Sequence, residues 1–315
     1  MSNTSAAGLP FQTIGIVGCG LIGCSIAAAL KSRGFRGRTI GCGRAGKNLE
    51  IATARGYVDA AETDLANASR QCDLVVICTP VDRIVNDVRI AAGAAPSGTL
   101  ITDSGSVKQS ICDPLSKGLP TGITFIGSHP IAGSEKQGCA HANPDLYENR
   151  VCVVTPDART PRTAVDRLIA FWRSLGMSVI EMTAAAHDVA LAQTSHVPHV
   201  VAAAVAASLA ADNRDLTGGG FHDTTRIAAG DPELWASILL ANADAVSHAI
   251  LGFSASLTTF TQALGKRDRR ALVELLRSAK ENREAVSYLK SESGQSRVGS
   301  ASAGPINRDP QSPSV

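Results

Sequence analysis

Charge of one sign is what this 315-residue chain most lacks: Lys and Arg number 30, Asp and Glu 28, and the formal net charge is +2. Without a basic surplus there is no electrostatic footprint for a nucleic acid, and none is expected as a partner. The eight cysteines form no C-x-x-C pair and no zinc-ligand spacing. Several lie in apolar runs such as Val75-Val76-Ile77-Cys78, where a free thiol behaves as a small hydrophobe. That usage predicts reduced thiols, no metal and a cytoplasmic protein. Met1 to Pro10 lacks a basic stretch followed by an apolar core, so no signal peptide is expected. Nor is a membrane span. The run that comes nearest, Val197 to Ala211, is only about fifteen residues against the roughly twenty that a bilayer requires, and it contains Pro198. It predicts a buried helix. No internal repeat is present.

What is there is an alternation. Through the first 180 residues, short β-branched runs at Thr13–Val17, Thr39–Cys42, Leu74–Cys78, Leu100–Thr102, Ile123–Ile126, Val151–Val154 and Ser178–Glu181 predict strands. Between them, Leu21–Ser32, Leu49–Ala54, Val81–Ala92, Lys108–Ser116 and Arg162–Leu175 read as helices. The pattern is that of an α/β fold, a Rossmann-type, mostly parallel sheet with helices on both faces. From Ala184 the texture is helical: Ala184–Ala211, a break at Leu216–Gly220, then Pro232–Leu264 and Asp268–Tyr288. An all-α C-terminal domain should therefore follow the sheet. Val200–Ala211 is apolar on every face and has to be enclosed. A partner subunit in a two-fold dimer is the natural cover, with burial inside one subunit as the alternative. Ser291–Val315 is rich in Ser, Gly and Pro and should be disordered.

Gly18-Cys19-Gly20-Leu21-Ile22-Gly23 follows the first strand and opens the first helix. A lone G-x-G-x-x-G is weak, but here the strand before it and the βα units behind it supply the context of a dinucleotide site. Gly18 makes the tight turn, Gly20 admits the pyrophosphate, and Gly23 lets helix and strand pack closely. The helix N-terminus then faces the phosphates. The division that follows is a dinucleotide-binding domain over 1–182, a helical substrate and dimerisation domain over 183–290, and a tail over 291–315. At the end of the second strand, where a ribose-binding carboxylate is usual, the chain reads Gly41-Cys42-Gly43-Arg44. Gly43 removes the repulsion a 2′-phosphate would meet, and Arg44 can pair with it or lie solvated on the surface. The pattern favours NADP over NAD without forbidding NAD. Thr79 and Pro80 end the third predicted strand and Asp103 the fourth, where the chain should line the cofactor crevice. Ser106 reads equally as a helix N-cap.

Gly127-Ser128-His129-Pro130-Ile131-Ala132-Gly133-Ser134-Glu135 places an imidazole after a strand, in a loop stiffened by Pro130 and Gly133. A histidine near a bound nicotinamide can take an alcohol proton while the hydride leaves, which points to a dehydrogenase. A loop histidine that only hydrogen-bonds a carbonyl is the bland alternative. These segments, with Thr102-Asp103-Ser104-Gly105-Ser106-Val107-Lys108, Thr194-Ser195-His196-Val197-Pro198-His199, Gly218 to Ala228 and Asp231-Pro232-Glu233-Leu234-Trp235, occur in an order that resembles the prephenate and arogenate dehydrogenases of tyrosine biosynthesis. The resemblance runs over roughly residues 12 to 288, with no fused mutase or regulatory domain.

It implies oxidative decarboxylation of prephenate or arogenate, with His129 as base and Ser106 orienting it. Arg226 is implied as the anchor of the side-chain carboxylate, through a two-bond guanidinium fork. Glu135 and Asp223 are implied to pair with that network or gate the entrance. Either can be a plain surface acid, and Asp223 three residues before Arg226 can be a local ion pair. Ser195, His196 and His199 are implied as substrate-pocket contacts, on a helix kinked at Pro198, or as interhelical hydrogen bonds. His187 and Trp235 match pocket or framework positions, Trp235 more in keeping with packing. Gly219, within Gly218-Gly219-Gly220, lets the backbone approach the substrate or simply turns the chain. Two other readings stand beside this one. A 3-hydroxyacid dehydrogenase would use a lysine on the first helix after the domain boundary, and no lysine occurs between Gln137 and Gly265. A non-catalytic NADP sensor has no need of Ser106, His129 and Arg226 together.

Overall fold

The computed structural model describes residues 5–133 and 136–292, with side chains as far as 286. Glu135, and residues 293–315 of the expected tail, lie outside the described residues. Eight strands form one sheet. Strand β1 (Thr13–Val17) is followed by helix α1 (Leu21–Ser32), β2 (Arg38–Cys42), α2 (Lys47–Ala54), β3 (Ala60–Glu62), α3 (Leu65–Ser69), β4 (Leu74–Ile77) and α4 (Val81–Ala94). Then come β5 (Leu100–Asp103), α5 (Gln109–Leu115), β6 (Thr124–Pro130), β7 (Val151–Thr155), α6 (Arg162–Ser174) and β8 (Ser178–Glu181). The strand order is β3-β2-β1-β4-β5-β6-β7-β8, parallel at every pairing except β6 with β7. The short β3 and α3 were not among the expected elements: three and five residues carry too little periodicity to read.

A parallel sheet with helices on both faces buries successive side chains on opposite sides. Strand β4 obeys this: Leu74 and Val76 enter the core beneath α1 and α6, Val75 and Ile77 the core beneath α4 and α5. Every cysteine but Cys112 joins these cores, and all are free thiols. Burial pushes Cys42, Cys72 and Cys78 up to about 12, so they remain protonated and inert.

Strand β6 departs from the expectation in a way that matters for function. Residues Thr124 to Ile126 pair in parallel with β5, which then ends, and Gly127 to Pro130 run on to pair antiparallel with β7. His129, opposite Val153, is therefore a strand residue and not part of a loop. The ladder fixes its backbone more tightly than Pro130 and Gly133 would.

After β8, Thr183 caps helix α7 (Ala184–Leu191) by accepting from the Ala186 N–H. A π-helical turn (Ala192–His196) leads into α8 (Val197–Ala207). Proline has no N–H to give and its ring crowds the carbonyl four residues back. The effect of Pro198, at the start of α8, is this wider π turn just before it, a feature common at functional sites. The helical run Ala184–Ala207 spans 24 residues, longer than the stretch of about fifteen from Val197 that was weighed as a span, and by length and composition alone it could cross a membrane. It nonetheless holds buried His187, Asp188, His196 and His199. Helix α8 stops at Ala207, short of the expected Ala211. A 3-10 turn (Ala211–Leu216), α9 (Gly219–Thr225) and a second 3-10 turn (Arg226–Ala229) follow.

The expected helix Pro232–Leu264 is two helices, α10 (Pro232–Ala241) and α11 (Ala243–Gly265), bent by 94° at Asn242. Last is α12 (Arg269–Glu292), which runs two residues past the expected start of the tail. The chain forms two compact units, Met1–Ser254 and Ala255–Val315; the second contains the end of α11 and α12.

Candidate active site

The glycine turn meets each requirement set out for it. Gly18 has φ +93°, and a Cβ there would lie 2.6 Å from the Cys78 carbonyl oxygen. At Gly23 a Cβ would lie 2.2 Å from the Gly18 oxygen, so helix α1 can approach β1 only with glycine at that position. Gly20, by contrast, faces open space. It is also the N-cap of α1, and no side chain caps that end. The N–H groups of Leu21, Ile22 and Gly23 open the first turn unsatisfied by any cap, which is the donor set an anionic pyrophosphate needs. Alongside runs a crevice of about 910 Å³, lined by Gly18, Gly20, Gly43, Arg44, Thr79 and Pro80 among others. A Cβ on Gly43 would meet only the Cys19 nitrogen, at 3.8 Å. The Thr79 hydroxyl is held by Asp87 of α4 at 2.7 Å. These residues fit a dinucleotide.

Asp103 does not belong to that crevice. Its side chain is 0% exposed and paired with Lys108, equally buried. Its oxygens also accept from the N–H groups of Gly105 (2.8 Å) and Ser128 (3.0 Å). A buried carboxylate is tolerable only when its lone pairs are spent on such partners, so the Asp103 side chain is turned inward, away from the crevice where a cofactor contact was expected. The pair instead ties the end of β5 to β6 one residue before His129.

His129 is 8% exposed. Its Nδ1 lies 2.9 Å from Nε2 of His187, and Nδ1 of His187 lies 2.7 Å from Oδ1 of Asp188. Asp188 also accepts from the backbone N–H groups of Lys108 (2.7 Å) and Gln109 (2.8 Å) at the start of α5. Burial alone would raise the Asp188 carboxyl, but these bonds outweigh it and hold it below its ordinary range. An ionised carboxylate only accepts, so His187 Nδ1 carries a hydrogen. With a single hydrogen on the His187 ring, its Nε2 accepts, His129 Nδ1 donates to it, and the lone pair of His129 lies on its Nε2. Burial, with His187, Lys108 and His196 close by, keeps His129 well below its usual imidazole range. The arrangement is a neutral base oriented by a histidine that is itself oriented by a carboxylate.

Ser106 has a different place from the one expected. It is half-buried, no hydrogen bond joins it to His129 among the described residues, and the N-cap of α5 is Lys108. His187 occupies the orienting position. Sequence reasoning named His187 only as a pocket or framework residue and missed Asp188. The available signal was a His-Asp pair within an otherwise apolar helix, where an acid has to have a partner.

Near this chain, the His199 ring stacks on Trp235 with centroids 3.5 Å apart and planes 12° from parallel. Gly230 lies against both, since a Cβ there would sit 2.6 Å from Trp235 Nε1 and 3.3 Å from His199 Cε1. Nε2 of His196 and Nδ1 of His199 are buried and have no hydrogen-bond partner among the described residues. Ser195 is half-buried. Arg226 is exposed at the turn between α9 and the following 3-10 turn, which packs against α8. No ion pair joins it to Asp223, so the local pair considered from the sequence does not form. Gly218 caps α9 with extended backbone, and at Gly218, Gly219 and Gly220 a Cβ would meet nothing within 4 Å. Nothing in the chain itself demands glycine there.

Burial pushes His196 down to about 4 from 6.5. An unfolded chain takes up a proton below pH 6.5 that the folded chain refuses until about pH 4. The stability this site contributes above pH 6.5 is therefore lost between those limits. The melting temperature should hold from pH 8 to 6.5 and fall toward pH 4, less steeply in His196→Gln; equal slopes would refute a neutral buried His196.

Comparison with known proteins fits this geometry. A family model described as prephenate dehydrogenase, nucleotide-binding domain, matches residues 26–181, and one described as prephenate dehydrogenase, dimerization domain, matches residues 183–278. The cyclohexadienyl dehydrogenase of Zymomonas mobilis is 32% identical over 283 residues, 88% of this chain and 96% of that one. The prephenate dehydrogenase of Bacillus subtilis is 31% identical, over 87% of this chain and 76% of its own. Among solved structures, prephenate dehydrogenase from Aquifex aeolicus in complex with hydroxyphenyl propionate and NAD+ superposes with a TM-score of 0.82 at 31% identity, covering 89% and 99% of the two chains. Synechocystis arogenate dehydrogenase gives 0.74 at 30% identity, covering 87% and 99%. With both family models in register across the sheet and the helices that follow it, the chain belongs to the prephenate dehydrogenase family.

Proposed function

We propose that this protein oxidatively decarboxylates a cyclohexadienyl substrate, prephenate or arogenate, with NADP favoured over NAD as hydride acceptor. The observation that carries the reading is the chain of contacts Asp188–His187–His129, which engages Nδ1 of His129 and leaves its Nε2 outside the chain at the carboxyl end of β6. A bound nicotinamide supplies the acceptor for the ring C4 hydride. His129 Nε2 takes the C4 hydroxyl proton as the hydride departs, leaving a carbonyl at C4. The bond to the ring carboxylate then breaks, CO2 leaves, and its electron pair completes the aromatic ring. His129 returns its proton to the phenolate oxygen. A base kept neutral by burial is ready at neutral pH, and the Asp188 carboxylate behind His187 supports the charge His129 gains.

Arg226 is proposed as the anchor for the side-chain carboxylate, a role supported by a guanidinium that forms no ion pair among the described residues and by the packing of its 3-10 turn beside α8. Ser195, His196, His199 and Gly219 are proposed to contact substrate, with Asp223 and Glu135 at the entrance. Ser106 is retained as a residue that reaches His129 once substrate is bound. The division at residue 182 and a cytoplasmic location are likewise proposals. So is a homodimer through the helical domain: Leu216, Leu240 and Leu251 are 80%, 77% and 68% exposed, and much of α8 is uncovered, as expected of a surface meant for a second copy.

An assay crossing both substrates with both cofactors tests the reading; no turnover in any of the four combinations would end it. For the cofactor, the exposed Arg44 and the room beside Gly43 support NADP. Gly43→Asp places a carboxylate where the 2′-phosphate would lie. It should weaken NADP at least about tenfold relative to NAD. A shift toward NADP in titrations of both cofactors would overturn this account of β2.

A further inference from the structure

Asn242 stands at the 94° corner between α10 and α11, on neither helix and nearly buried. A primary amide has two N–H bonds, and here both are spent in one direction. Nδ2 lies 2.8 Å from the backbone carbonyl oxygen of Asp188, which can only accept. That contact fixes which end of the amide is nitrogen. The same Nδ2 lies 3.2 Å from Nδ1 of His196, so its second hydrogen points to an imidazole nitrogen that has to be the lone pair. The hydrogen of the neutral ring is then on Nε2, the atom that is buried and has no partner among the described residues.

From these contacts we propose that Asn242 is a positioning residue that locks His196 in its Nε2–H tautomer and reserves that N–H for an acceptor oxygen of the substrate beside the base. The inference rests on the reaction proposed above. A continuous chain supports the placement: His129 to His187, His187 to the adjoining Asp188, the Asp188 carbonyl to Asn242, and Asn242 to His196. One polar network thus sets the hydrogen positions of two imidazoles. One is left with a lone pair, for the hydroxyl proton. The other is left with an N–H, for an oxygen on which negative charge gathers as the ring becomes aromatic. A buried donor left unbonded is costly in the empty site, and a ligand oxygen removes that cost. This orientation therefore favours binding of substrate and, more strongly, of the state in which that oxygen is most negative.

The test is nitrogen NMR of the imidazoles in the full-length protein labelled with 15N-histidine, which distinguishes the two neutral tautomers directly. Wild type at pH 7 should give a His196 signal of the Nε2–H form, assigned by its loss in His196→Gln. Addition of 4-hydroxyphenylpyruvate with oxidised NADP, a pair that cannot react, should shift it. Asn242→Asp keeps the shape but replaces the donor by an acceptor, and should turn His196 to the Nδ1–H form. Its kcat/KM should fall about ten- to a hundredfold, with the KM for NADP within about twofold of wild type. Asn242→Ser is the second variant should the aspartate prevent folding; it should show mixed tautomers and a smaller loss. A wild-type signal of the Nδ1–H form or of the charged ring overturns the proposal, as does a signal that the ligand pair leaves unmoved. These results are separable from failure of the reaction itself. An active enzyme with the wrong tautomer sinks only this inference, whereas a protein inactive on every substrate sinks the reading beneath it.

Discussion

His129→Asn should lower kcat by about 10³-fold or more, at the upper end of what a positioned general base contributes, while NADP affinity stays within about twofold. Asparagine keeps a polar group on β6 but has no lone pair basic enough for the hydroxyl proton. The ladder with β7 holds the backbone at this position, so the loss should be chemical and not a failure to fold. His129 is buried and well below its ordinary range. The pH profile of wild-type kcat/KM should therefore stay flat down through pH 6.5 and bend only in more acid solution. His187→Ala should impair turnover in the same sense but less, because it leaves the base in place without its orienting acceptor. Turnover by His129→Asn near the wild-type rate, measured spectrophotometrically at saturating cofactor, would remove the proposed base.

Arg226→Ala should raise the KM for prephenate or arogenate by about a hundredfold, with kcat reduced less than tenfold. Loss of a two-bond guanidinium–carboxylate contact is worth roughly 1.5–3 kcal/mol, which is about ten- to a hundred-and-fiftyfold in affinity. The carboxylate it is proposed to hold does not react, so the loss falls on binding more than on the chemical step. Arg226→Lys should recover only part, since an ammonium offers a point charge in place of a planar fork. Because Arg226 is exposed and forms no ion pair among the described residues, replacing it should leave the melting temperature nearly unchanged. A KM equal to wild type would remove the anchor.

Much of this site was legible before any coordinates, and the reason differs from residue to residue. Gly18 and Gly23 were readable because their roles are local: a positive φ, and a contact between a helix and the strand that feeds it. His129 was readable as a titratable group after a strand. That it lies within the strand was not, because the extra four residues pair with β7, which begins some twenty residues later. Asp103 was misplaced by the same logic that placed Thr79. Thr79 follows β4 and Asp103 ends β5, but Asp103 is drawn inward by Lys108, a partner no periodicity reveals. Ser106 was expected beside His129, but the hydrogen bond in this structure is with His187, a pairing that a separation of 58 positions hides from the sequence.

The amino-acid sequence by itself determined the alternating sheet and helices, the phosphate-binding turn, the change to helix after Glu181 and the family. Each of these follows from side-chain period or from a conformation that a few adjacent residues require. Only the tertiary structure decided which polar groups meet. Asp188 bonds the backbone of Lys108 across 80 residues, and Asn242 reaches the Asp188 carbonyl across 54. A hydrogen bond's partner depends on where chain topology brings it. The place of the hydrogen on each ring depends on those partners, so the proposed base and the proposed donor of this site are products of the fold.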